Sequence, residues 1–137
     1  MRPQGRWKRM IYAKAILVDQ FLANVNDRSW YASFQESVEG LSNEEAFWKP
    51  YEESHSIAEI TQHLIYWNEV WQMRFETSNF HAIETLNDNA SSFHIHDNES
   101  FTELKEKLFN VLLRWEEFIT VEKLESNVNG FPVKAEW

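Results

Sequence analysis

Five histidines and no cysteine narrow the chemistry open to this chain of 137 residues. Without a thiol there is no cysteine nucleophile, no disulfide framework and no Cys-based zinc site. No glycine-rich phosphate loop, G-x-S-x-G or H-E-x-x-H run is present, so serine-nucleophile catalysis has no support either. Imidazole remains, and His63 is the one whose position asks a question. At about 100° per residue it falls between Ile60 and Trp67, on an arc shared by Ile57, Leu64, Trp71 and Phe75, with Val70 at its edge. An unpaired polar group on a buried stripe costs roughly 1–3 kcal/mol, so a side chain, a water or a metal ion must meet this ring.

Other residues compete for a share in that site. Glu59, four residues earlier, could orient the imidazole from an outer shell, as carboxylates often do behind metal-bound histidines. A capping box with Ser56 accounts for Glu59 equally well. His94 and His96, in FHIHDNES with Asp97 adjacent, could chelate if the segment is extended, because alternate residues then share a face. Ordinary solvated loop histidines are the plainer reading. Arg74 interrupts the same arc as His63 and could hold an anionic substrate group, with Trp67 as a pocket wall; such an arginine also snorkels or pairs with an acid. His55 and His81 carry no spacing argument and read as surface.

The elements that must position these groups read as helices. Ile11, Val18, Leu22 and Val25 predict a first helix over about 10–24, and Trp30, Phe34 and Val38 a second over about 29–39, with Gly40 as its left-handed end. Ser42 with Glu45, Ser56 with Glu59, and Ser100 with Glu103 are three S-x-x-E capping boxes. They predict a short turn stopped at Pro50, a long helix over about 56–76, and another over about 101–121. The last has a stripe of Phe101, Leu104, Leu108, Val111, Leu112, Trp115, Phe118 and Ile119, and it offers no inward ligand. Residues 77–100 are polar and aperiodic, with one short helical turn expected around 82–86, and Asn129 to Pro132 reads as a turn. No useful β alternation occurs. The predicted class is all-α, an antiparallel helical bundle.

Charge and composition limit the partners. Thirteen basic and 22 acidic residues give −9, yet Arg2, Arg6, Lys8 and Arg9 fall within the first ten residues. The expected organisation is a basic arm over 1–9 and one domain over 10–137. An acidic body repels phosphate backbones, so nucleic-acid binding is disfavoured. No apolar run reaches the roughly 20 residues of a membrane span, and no signal peptide is recognisable. A cytoplasmic location is expected, in keeping with the lack of cysteine.

The run EGLSNEEAFWKP, followed by SHSIAEITQHLIYWNEVW, resembles the DinB/YfiT-like superfamily of bacterial four-helix bundles. The resemblance covers residues 10 to 125. It implies a metal-dependent enzyme of hydrolase or thiol-transferase type, with a divalent ion, zinc or nickel, on three histidines. The position matched by His63 supplies the first. An H-x-x-x-H pair on the last helix supplies the others, and this sequence has no such pair. One family ligand of three is therefore present and the fourth helix is expected to be short or absent, so the chain is expected to be a member truncated or degenerate at the metal site, or a fragment of a longer reading frame. Its loss would uncover several hundred Å2 of apolar surface, on the order of 10 kcal/mol at about 25 cal/mol per Å2. We therefore expect a homodimer. The alternative to an enzyme is a non-catalytic helical homodimer or interaction domain.

Overall fold

Four serine caps set the frame of the computed structural model, which describes residues 4–27, 32–126 and 129–130. Helix α1 spans Gln4–Val25, α2 Phe34–Ser37, α3 Asn43–Phe47, α4 Ile57–Thr77, α5 Phe101–Leu113, α6 Trp115–Phe118 and α7 Val121–Leu124, with a 3-10 turn at Ala90–Phe93. Ser42, Ser56 and Ser100 cap α3, α4 and α5, each accepting the N–H three residues on while that glutamate reaches back. The fourth box, Ser33 with Glu36, starts α2 and was not among those expected. All regular structure among the described residues is helical, so the all-α class holds.

Several boundaries differ from expectation. Helix α1 begins at Gln4, carrying helical backbone through the basic segment. The helix expected over 29–39 is reduced to the single turn α2, and Trp30 lies outside the described residues. Gly40 does take a left-handed conformation, φ +77°. No helical turn forms at 82–86; the turn in this connection lies at Ala90–Phe93. The helix expected over 101–121 breaks after Leu113. Gln72 supplies the reason: its buried amide donates to the Val111 carbonyl at 2.6 Å, the acceptor that a continuing helix would offer to the Trp115 N–H. From α7 onward the described residues are that short helix, the two residues that follow it and residues 129–130, and the place where the family's last helix would begin lies outside the described residues. Asn129 pairs with Asn79 beyond the end of α4, and Gly130 turns at φ +80°.

The core lies where α4 meets α5 and α3. Leu104, Leu108 and Phe101 from α5 pack on Ala58 and Ile65 of α4, with Ala46 of α3 and Val38 after α2. At one end Asn43 of α3 accepts the Phe101 N–H; at the other Gln72 meets Val111, and Phe75 meets Trp115 edge to face. Helices α4 and α5 therefore run parallel, unlike the antiparallel neighbours expected by default. The long connection between them returns the chain along the full length of α4. Helix α1 packs on α5, α7 and α2.

The inward face of α4 is also not the one its largest side chains suggest. Ala58, Thr61, Ile65 and Gln72 are buried, whereas Ile57, Ile60 and Leu64 are 40%, 45% and 41% exposed. Small Ala58 and Thr61 admit the bulky α5 stripe, which no row of isoleucine and leucine would do at the same separation. None of the described helices is long and apolar enough to cross a membrane.

Candidate functional site

His63 projects from the flank of α4 toward the 3-10 turn, whose Ser92 and Phe93 both meet the ring. Its Nδ1 lies 2.6 Å from the Ser92 hydroxyl. That hydroxyl has one proton and gives it to the Asn89 carbonyl at 2.5 Å. Ser92 can then only accept from His63, which fixes the imidazole proton on Nδ1 and leaves the lone pair on Nε2. Burial, and then the positive charge of His55, hold the His63 pKa below the ordinary histidine range, so the ring is neutral at pH 7. It is half-buried.

Phe93 completes the arrangement. His63 stacks on it at 4.1 Å between centroids and 8° between planes, and His55 stacks on it at 3.7 Å and 4°. Two rings cannot occupy one face of a benzene ring at these separations, so the imidazoles sandwich it. Neither His55 nor Phe93 gives a periodic signal in the sequence, because one precedes the α4 cap and the other lies in the connection. A groove of about 650 Å3 beside the stack is lined by Lys49, His55, Glu59, Phe93 and His94.

Glu59 does not reach the His63 ring in these contacts. Its carboxylate accepts the Ser56 N–H at 2.8 Å, pairs with Lys49 at 2.9 Å, and lies 3.8 Å from His55 Nδ1. Burial works to raise its pKa, and the Ser56 amide, the Lys49 hydrogen bond and the charges of Lys49 and His55 outweigh it, so the net direction is down. His94 and His96 are exposed and meet each other edge to face at 5.9 Å. Trp67 is half-buried and donates its indole N–H to Asn89 at 3.0 Å. Arg74 is buried at the far end of α4, its guanidinium 3.8 Å from the Phe80 ring centre and 4.9 Å from that of Trp71. No carboxylate among the described residues pairs with Arg74, and its Nε has no hydrogen-bond partner. The structure thus joins His63 to Ser92 and Phe93, and Trp67 to the same connection. Arg74 stands apart from that ring, and of the His94–His96 pair His94 lines the groove beside the stack.

The DinB-superfamily family model matches residues 26–134. This chain belongs to the DinB superfamily. No curated protein and no solved structure matches it. Membership raises the question of the divalent ion. A tetrahedral or open-position site takes at least three protein ligands within about 2.0–2.3 Å of the ion. Among the described residues no group of three or more His, Cys, Asp or Glu converges in that way. His63 has a suitable donor in Nε2, but His55 lies across the Phe93 ring from it. The described residues of this DinB-superfamily chain do not fit the ion.

Proposed function

We propose that this DinB-superfamily domain works as a helical association domain. The observation that carries the reading is the row Ile57, Ile60 and Leu64, each at least 40% exposed and spaced i, i+3, i+7 along one side of a 21-residue helix. Soluble monomers rarely leave a contiguous apolar row uncovered. A cytoplasmic setting is part of the proposal, supported by a chain with 0 cysteines.

Leu64→Glu tests it, because the side chain is exposed and the change leaves the core intact. The wild-type chain is expected either to bury this row in an assembly or to bind an apolar dye such as ANS on it. Leu64→Glu should lower the assembly's mass or the dye signal while circular dichroism is unchanged. A wild-type chain that neither assembles nor binds dye overturns the reading.

One observation favours a second reading, the metal-dependent hydrolase or thiol transferase of the family. His63 is neutral and its Nε2 meets no hydrogen-bond donor among the described residues, which is the state a ligating histidine needs. Metal analysis of the purified chain separates the two readings. A stoichiometric divalent ion that His63→Ala removes supports the enzyme; ion-free protein with a folded His63→Ala variant supports association.

A further inference from the structure

Arg74 is a charge with nothing to neutralise it. It is 5% exposed, and a fold tolerates a buried charge when that charge is paired and hydrogen-bonded. Among the described residues no carboxylate pairs with it and no acceptor meets its Nε. The rings beside it do not replace an acceptor. Phe80 lies 3.8 Å from the guanidinium carbon and Trp71 4.9 Å, with 66° between the two ring planes. Their faces meet the positive charge, but an aromatic face is no match for five N–H donors fixed in one plane. Of the guanidinium nitrogens only Nε is both enclosed and unmatched, so the Nη pair is the edge that reaches the surface. We propose that this edge, between Trp71 and Phe80 at the end of α4, binds the carboxylate of a small organic acid. The site is separate from the association face: Arg74 lies about 15 Å along the helix from Leu64, at 1.5 Å per residue.

Geometry and charge select that ligand. Two coplanar N–H groups are matched by the two oxygens of one carboxylate, and the apolar body behind it would lie on the rings. A phosphate dianion would bring twice the charge to a chain that already carries −9. A helix C-terminus ordinarily repels anions through its free carbonyls. Here those carbonyls are taken. The Ser78 N–H donates to the Phe75 carbonyl and the Asn79 N–H to that of Arg74. Lys123 of α7 donates its ammonium to the Glu76 carbonyl at 2.6 Å and to the Ser78 hydroxyl at 3.0 Å. The ion pairs among the described residues are those of Lys49, His55 and Lys107, so Lys123 is a second cation at this helix end with no acid beside it.

The test is titration of the full chain with benzoate, in a buffer free of carboxylate and phosphate, followed by NMR of the Arg74 guanidinium and by thermal melting. Saturable binding with a Kd of roughly 1 mM is expected, shifting the Arg74 resonance and raising the melting temperature by a few degrees at about 20 mM. Neutral benzamide and inorganic phosphate should bind more weakly. Arg74→Met, which keeps the packing on Phe80, should lose about tenfold or more in affinity, and Arg74→Lys, a charge without the fork, should fall between. A wild-type chain that benzoate leaves unchanged overturns the proposal. So does benzamide or phosphate binding as tightly as benzoate, or benzoate binding that leaves the Arg74 resonance unmoved. The last readout needs no variant and holds even if Arg74→Met fails to fold. Benzoate binding to Glu136→Gln but not to the wild type would also overturn it, because the chain would then supply its own carboxylate.

Discussion

The His63 ring shows how one hydroxyl sets the chemistry of a neighbour. Ser92 accepts from Nδ1 because its own proton is committed to Asn89, so Ser92→Ala should release the tautomer and leave Nδ1 without its partner. The measurement is the imidazole nitrogen chemical shift by NMR: one Nδ1-protonated form in the wild type, a mixture of tautomers in the variant. The depressed pKa of His63 has a thermodynamic consequence as well. Its folded form binds protons less readily than the unfolded chain, so the stability it contributes is full above the unfolded value of 6.5 and is lost as pH falls through the folded one. Melting temperature should fall between pH 7 and pH 5, and His63→Gln should flatten that part of the curve. An unchanged slope would mean that burial and His55 do not oppose the charge. Arg74 belongs at this scale too. Held by two aromatic rings and paired with no acid among the described residues, it should tolerate Arg74→Met better than Arg74→Ala in chemical denaturation, because methionine keeps the packing on Phe80 and alanine opens a cavity. Of the site, His63 was legible because it broke a helical pattern. His55 and Phe93 were not, since ring stacking between a pre-cap residue and a connection leaves no period to read.

At the scale of elements, local signals carried and tertiary ones did not. Ser42, Ser56 and Ser100 each name a helix start within four residues, because a cap is made by neighbours in the chain. Removing one should cost about 1 kcal/mol. Ser56→Ala is expected to cost more than Ser42→Ala in urea denaturation, since Ser56 is buried and Glu59 also holds Lys49 there. The phase of α4 was misread for the opposite reason. Two of its arcs are apolar, and which one faces inward depends on α5, which sits 39 residues away in sequence at Val111 against Gln72. The break at Arg114 has the same origin, a side chain from another helix inserted into the ladder. Gln72→Leu removes the competing donor, so the Trp115 amide should gain protection from hydrogen exchange and α5 should run on into α6. If Trp115 exchanges as fast as before, Gln72 is not what interrupts the helix.

For the whole molecule the opposing forces at the proposed interface are apolar burial and net charge. The first is nearly insensitive to salt. The second is not: charges on two −9 bodies are felt across about 30 Å at 0.01 M salt and about 8 Å at 0.15 M. The row Ile57, Ile60 and Leu64 itself carries no acid, so salt has no carboxylate on that row to screen. Screening should therefore act only on the repulsion between the surrounding surfaces. Self-association is expected to tighten several-fold as sodium chloride rises from 10 to 150 mM, and then to level off once the Debye length is shorter than the gap between the acidic flanks. Sedimentation equilibrium across that range reads it directly. An interface held by ion pairs, such as the basic N-terminal residues Arg2 to Arg9 on an acidic patch of the partner, would weaken over the same range. The sign of the salt dependence thus distinguishes pairing through the apolar face of α4 from pairing through charge, independently of any substitution that could disturb the fold.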